Sequence, residues 1–137
     1  MFISKFSVEK WEGTQNKGVL ANVQSWTEIE TAIKELDGHY KTLVTLEGDD
    51  ETHMAVGGGA DQYVVYVTFD NETFHYLVDL SKPDTDERLT VGGQEGIYPV
   101  KLCVGISPVL KAARTFAEFG KMDKSLTWEQ DRVVEPV

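Results

Sequence analysis

One cysteine, Cys103, stands in the whole chain, inside the apolar run "VKLCVGI". A lone thiol forms no internal bridge, which excludes a disulfide scaffold, and its apolar neighbours suit a buried small hydrophobe better than a nucleophile. A reducing compartment is expected. Long hydrophobic runs are also missing: none approaches the roughly 18 residues of a membrane helix. The opening "MFISKFSVEKW" alternates where a signal peptide would be continuously apolar. The expected location is the cytoplasm, away from membranes. Basic charge is scarce, with 13 Lys and Arg against 23 Asp and Glu and a formal net charge of −10. That balance opposes binding to nucleic acid and anionic lipid, so a charged partner would be basic, although the same acidity also serves solubility.

The chain does have enough length and apolar content for one packed core. Its 137 residues, 41% hydrophobic and 26% charged, fit a single globular domain over 1–137 without stapling by metal or disulfide. Residues 1–9 and 17–24 read as strands, with Phe2, Phe6 and Val8 sharing one parity. Ser25 and Glu28 form a capping box, and Ile29, Ala32, Ile33 and Leu36 line one face of a helix over 26–37 that ends at Asp37-Gly38.

"KTLVTLEG", "ETHMAVGGG", "DQYVVYVTF" and "ETFHYLVDL" follow as strands. A two-residue loop at Asp70-Asn71 would set Val67 opposite Phe74, Val65 opposite Tyr76 and Tyr63 opposite Val78. "RLTVGG" and "YPVKLCVGI" read as two more strands. Ser107-Pro108 opens a second helix, with Val109, Ala113 and Phe116 as its buried stripe and Gly120 as its stop. Leu126 and Trp128 anchor a tail before a frayed end. Many strands, two helices and no regular alternation predict an α+β fold: a curved, mainly antiparallel β-sheet with both helices packed on one face.

The glycine clusters Gly57 to Gly59 and Gly92-Gly93 do not meet the needs of a phosphate site. A dinucleotide fingerprint starting at Gly57 would need glycine where Gln62 stands, and both clusters lead into strands, which leaves no helix N-terminus to face an anion. They are expected to supply positive φ, bulges or close backbone approach. His39, His53 and His75 show no metal-ligand spacing, and no serine sits in a nucleophile elbow. No catalytic residue, metal or cofactor is expected.

Two groups of carboxylates remain, Asp49, Asp50 and Glu51 in one and Asp84, Asp86 and Glu87 in the other. Placed at turn tips they would stay solvated and ionised, unsuited to acid/base work but suited to steering a basic partner. Glu95, beside Tyr98 on a glycine-rich turn, is a further candidate contact, or a group that hydrogen-bonds the irregular backbone there. Asp79 ends its strand.

The ordered set "SWTEIETAIKELDG", "THMAVGGGADQYVVYV", "YLVDLSKP", "LTVGGQEGIYPVKLCV", "SPVLKAARTFAEFG" and "LTWEQ" resembles family 1 of the bacterial polymorphic-toxin immunity proteins over roughly residues 20–130. The resemblance implies a small cytoplasmic antidote that binds and neutralises the C-terminal domain of a cognate secreted toxin without catalysis. In such contact-dependent systems the toxins are deaminase-type nucleic-acid modifiers or nucleases, basic around the active site. Trp26, Gly58, Gly59, Gly92, Gly93, Gln94, Tyr98, Pro99 and Trp128 match motif positions, residue types that more often hold a fold than touch a partner. The competing reading is a small-molecule-binding or enzymatic α+β module, with Tyr63, Tyr66, His75 and Tyr76 on a concave sheet face and Glu95 or Asp79 as polar anchor.

Overall fold

The structure, a computed structural model, describes residues 1–132. The elements run β1 (Lys5–Glu12), β2 (Gln15–Asn16), β3 (Val19–Asn22), α1 (Trp26–Lys34), β4 (Lys41–Glu47), β5 (His53–Gly59), β6 (Gln62–Thr68), β7 (Thr73–Leu77), β8 (Asp86–Val91), β9 (Gln94–Pro99), a 3₁₀ turn (Val100–Leu102), α2 (Ile106–Phe119) and β10 (Trp128–Arg132). Eight strands form one open, curved sheet in the order β10-β7-β6-β5-β4-β1-β2, with β3 also on β1, while β8 and β9 form a separate hairpin. Every pairing among the described residues is antiparallel.

Side-chain alternation decides which face of the sheet is dry. In β4 the buried positions are Thr42, Val44 and Leu46, and the register sets Val44 beside Val56 and Leu46 beside Met54. Val56 in turn faces Val65, and Met54 faces Val67, so one apolar face runs across the strands. Ile29 and Ile33 of α1 and Val109 and Phe116 of α2 close over that face, each fully buried. Complete burial of a side chain of this size contributes roughly 1.5–3 kcal/mol. The chain is thus a single α+β domain with both helices on one side of the sheet.

Helix α1 begins as the sequence suggests, with Ser25 as cap and Glu28 reaching back in a capping box. It ends at Lys34, three residues before the expected end. The carboxylate of Asp37 accepts the backbone N–H groups of His39, Tyr40 and Lys41 at 2.8, 2.8 and 3.0 Å, which pulls the chain into a turn. Helix α2 starts earlier than expected, capped by Gly105, so that Ser107 and Pro108 are its second and third residues. Proline is tolerated there because first-turn amides have no acceptor within the helix. Gly120 ends it at φ 68°.

Three strand expectations change. Tyr66 pairs with Tyr76, Val67 with His75 and Thr68 with Phe74, one residue off the two-residue hairpin register. The loop is longer because the Thr68 hydroxyl donates to Thr73 O at 2.8 Å and accepts from Asn71 N–H at 2.9 Å, while Asp70 Oδ1 accepts from the N–H groups of Glu72 and Thr73. The expected strand "YPVKLCVGI" breaks after Pro99. There Val100 N–H turns to Thr85 O, and Cys103 N–H closes the 3₁₀ turn on Val100 O. Finally, residues after Trp128 form β10 along β7. The frayed end expected beyond it falls on residues 133–137, outside the described part.

The β8–β9 hairpin lies across the sheet face opposite the helices. Gly92 and Gly93, at φ 59° and 78°, make its two-residue turn, which needs positive φ at both positions. Its tip rests on the ring of Trp11, only 2.5 Å from where a Cβ at Gly93 would stand. At Gly59, with φ 140°, a Cβ would come within 2.3 Å of Gly38 N, so glycine allows the end of α1 and the following turn to seat on β5.

Candidate interaction surface

The meander β4 to β7 brings alternate turns to the same end of the sheet. Asp49, Asp50 and Glu51 lie exposed in the β4–β5 turn, which Gly48 N–H closes on Thr52 O at 3.0 Å. Next to it the β6–β7 turn presents Asp70 and Glu72, because His53 pairs with Thr68 across the two hairpins. The backbone N–H groups of Thr73 and Glu72 hold the Asp70 carboxyl below its usual range, so it is firmly ionised. Asp70 and Glu72 were not among the sequence candidates. The signal for them was the meander itself, in which every second turn shares an end.

A hollow of about 480 Å³ opens beside the first turn, lined by Lys5, Thr45, Glu47, Asp50, Glu51 and His53. His53 Nε2 lies 3.1 Å from the Tyr66 hydroxyl, and the Tyr66 ring meets Phe74 edge-on at 5.1 Å and tilts toward Tyr76 at 6.0 Å. Burial first, and the neighbouring Tyr76 hydroxyl second, push the Tyr66 phenol up, so it stays protonated and able to donate. By register Phe74 and Tyr76 share their face with Asp131 and Glu129 of β10, and Glu129 pairs with Lys101 at 2.8 Å. A half-buried aromatic shelf therefore adjoins the acidic turns.

The expected aromatic face is divided. Tyr66 and Tyr76 lie on this side, whereas Tyr63 and His75 have the opposite parity, Tyr63 buried in the helix-side core and His75 beside Phe69 at 6.0 Å. Alternation along each strand is the cause, since Tyr63 and Tyr66 differ in parity and His75 and Tyr76 are neighbours; the one-residue register change decides only that Tyr76, and not His75, stands beside Tyr66.

Asp84, Asp86 and Glu87 are exposed, but only Asp84 lies in the polar segment; Asp86 and Glu87 belong to strand β8. Strand demand for a partner to "QEGIYP" overrides the turn-like composition: Asp86 pairs with Pro99 and Glu87 with Tyr98. This group lies beyond the other end of β7, where Asp79 N–H binds Lys101 O and Val100 N–H binds Thr85 O. The five residues Thr73–Leu77 separate the two acidic groups by about 16 Å of strand. The structure does not merge them into one patch.

Glu95 sits in β9 on the hairpin's outer side, 3.5 Å from Arg88. Asp79 accepts from the Ser81 hydroxyl and amide at 2.6 and 3.0 Å, which keeps its carboxyl below its usual range and makes it a turn former. Cys103 is fully buried, and burial pushes its thiol up, so it remains protonated. Among the described residues no group of three or more His, Cys, Asp or Glu stands close enough to hold a metal ion. No helix among them is long and apolar enough to cross a membrane.

This end of the sheet thus sets exposed carboxylates of two turns beside the half-buried rings of Tyr66, Phe74 and Tyr76. No curated protein and no solved structure matches the chain. The family model for Immunity protein Imm1 matches residues 18–130, from the glycine before β3 to the middle of β10. The chain belongs to the Imm1 family of immunity proteins.

Proposed function

We propose that this chain acts in the cytoplasm as an antidote, binding the toxic C-terminal domain of a cognate secreted toxin and blocking it without catalysis. The toxin domain is a deaminase or nuclease that acts on nucleic acid. Family membership supports the immunity role. The observation that carries the finer reading is the acidic end of the sheet, where Asp49, Asp50, Glu51, Asp70 and Glu72 gather in two adjacent turns beside an acidic hollow.

A domain that grips phosphates must present Lys and Arg at its active site, and an array of fixed carboxylates competes for that same surface. The hollow accepts a basic side chain, with Glu47, Asp50 and Glu51 around it. Tyr66, Phe74 and Tyr76 beside it supply the rigid aromatic area typical of interface hot spots. Asp84, Asp86, Glu87 and Glu95 form a second acidic surface that steers the approaching toxin.

The test is co-expression with the C-terminal domain of the protein encoded directly upstream. A stable complex is expected on co-purification, together with rescue from toxicity. A correctly folded toxin domain that neither binds nor is neutralised would sink the reading.

A further inference from the structure

The sheet has two outer edges among the described residues, and they are built differently. The β10 edge reads Trp-Glu-Gln-Asp-Arg, a charged strand of the kind that discourages another strand from adding to it. The β3 edge reads Val19-Leu20-Ala21-Asn22, without a charge, and Val19 and Leu20 are each 62% exposed.

Hydrogen-bond alternation shows what that edge offers. Val23 N–H donates to Ser4 O at 3.0 Å, so the pairing with β1 uses the backbone groups of Ala21 and Val19 in turn. The N–H and C=O of Leu20 and Asn22 therefore point away from β1, at the spacing an antiparallel partner strand requires.

A groove continues from this edge on the helix side. Val19 and Ala21 share the face of Val8 and Phe6, and a cavity of about 530 Å³ lies between them and α1, with Phe6, Val8 and Ala32 as floor and Thr27 and Thr31 on the wall. Its rim is basic in an acidic protein. Lys41 is paired with Glu35 at 3.6 Å, and the Glu28 carboxylate is taken up by the N–H groups of Gln24 and Ser25 at 2.6 and 3.0 Å. Lys10 and Lys17 also line the groove and have no acidic partner among the described residues.

We propose that β3 accepts an eleventh strand from a partner polypeptide, an extended segment whose groove-facing side chains are apolar over Phe6 and Val8 and acidic between Lys10 and Lys17. The outward backbone groups of Leu20 and Asn22 hold its main chain, and the groove selects its side chains. A second copy of this chain does not fit. Pairing β3 with β3 brings no carboxylate to the lysines, and an antiparallel β10 would turn Glu129 and Asp131 toward the groove with no apolar side chain to cover Phe6 and Val8, its Glu129 being already paired with Lys101. This surface lies on the helix side, whereas the acidic hollow opens on the opposite face, and it does not depend on the toxin's chemistry.

The experiment uses the full chain, ¹⁵N-labelled, titrated with two capped peptides, Thr-Val-Thr-Val-Thr-Glu-Thr and its counterpart with Lys for Glu. The acidic peptide is expected to shift the Leu20 and Asn22 amides and slow their exchange, and to bind about fivefold tighter than the basic one, the effect of one partly exposed ion pair. Lys10→Glu with Lys17→Glu should reverse that preference. Leu20→Pro removes an outward N–H without touching the β1 ladder, and should abolish binding with the circular dichroism unchanged. Should Leu20→Pro unfold the chain, the lysine double variant decides alone.

Equal binding of both peptides, or no change at Leu20 and Asn22, would overturn the proposal. So would protection of these amides that rises with protein concentration alone, the signature of self-pairing. Titration with decanoate provides the remaining control: decanoate that displaces the acidic peptide without perturbing the Leu20 amide would make the groove an amphiphile site instead.

Discussion

Val91 stands directly over Gly57: a Cβ built on that glycine would lie 2.4 Å from Val91 Cγ1. The contact pins the β8–β9 hairpin to the middle of the sheet, on the face opposite the helices, and fixes how far the hairpin reaches toward Trp11. Gly57→Ala should therefore lift the hairpin, because a β-branched neighbour cannot turn aside, and should destabilise by roughly 1–3 kcal/mol through overpacking. Val91→Ala in the same chain should recover most of that loss. Urea midpoints for the two single variants and the double variant measure the coupling; additive losses would show that the two residues do not share the space.

The turn that sets the β6–β7 register gives a second prediction. Thr68 is completely buried, and its hydroxyl both donates to Thr73 O and accepts from Asn71 N–H. Thr68→Val keeps the shape but strands one donor and one acceptor, at a cost of roughly 1–3 kcal/mol. Faster amide exchange confined to residues 69–73 should accompany the loss. Uniform exchange across the sheet would mean that the register is held elsewhere.

Thr68 also marks where the sequence ceased to be legible. The strands, both helices and the face that the helices cover follow from apolar periodicity, which local patterns carry well: Ile29, Ala32, Ile33 and Leu36 are all buried as spaced. Register depends on a side chain bonding to backbone within a turn, and Asp70-Asn71 advertises a short loop whether or not Thr68 lengthens it. Alternation alone keeps Tyr63 off the face of Tyr66, and the shift of one residue set Tyr76 in place of His75 beside Tyr66. Strand β10 escaped notice for a related reason, since an edge strand can pair by its backbone while its side chains read "WEQDR". At the candidate surface, composition marked the acidic turns, but only topology joined Asp70 and Glu72 to Asp49, Asp50 and Glu51 and set Asp84 at the far end.

Acid should weaken the fold through its turns. Burial alone would raise the Asp37 carboxyl, but the N–H groups of His39, Lys41 and Tyr40 outweigh it and hold the carboxyl below its usual value. Asp123 is lowered by the Ser125 and Thr115 hydroxyls and the Ser125 amide, Asp79 by Ser81, and Asp70 by Thr73 and Glu72. A carboxyl with a folded pKa below its unfolded value of about 3.9 stabilises the fold above that pH, and the contribution disappears as pH falls through the folded value. The urea midpoint should therefore drop steeply below about pH 4. Asp37→Asn and Asp123→Asn should each start from a lower midpoint at neutral pH and show a shallower drop. Midpoints that rise continuously down to pH 2 would mean that relief of the −10 net charge outweighs these turns.

Charge reversal separates a docking role for the acidic turns from a steering role. Asp49→Lys, Asp50→Lys and Glu51→Lys together place cations at the mouth of the hollow, so the complex with the upstream toxin domain should both form more slowly and dissociate faster. Asp84→Lys, Asp86→Lys and Glu87→Lys act about 16 Å of strand away, and should slow association while leaving dissociation nearly unchanged. The slowing should amount to at least about tenfold at low salt and shrink as ionic strength rises, because exposed charges are screened beyond about 8–10 Å in physiological buffer. Stopped-flow association and dissociation rates from 20 to 500 mM salt, roughly the span over which screening changes most, give both quantities. If reversal at Asp84, Asp86 and Glu87 raises dissociation more than reversal at Asp49, Asp50 and Glu51, the toxin sits on the hairpin end and the acidic hollow is not its docking site. Unchanged association for both variants at low salt would leave these carboxylates with solubility as their only role.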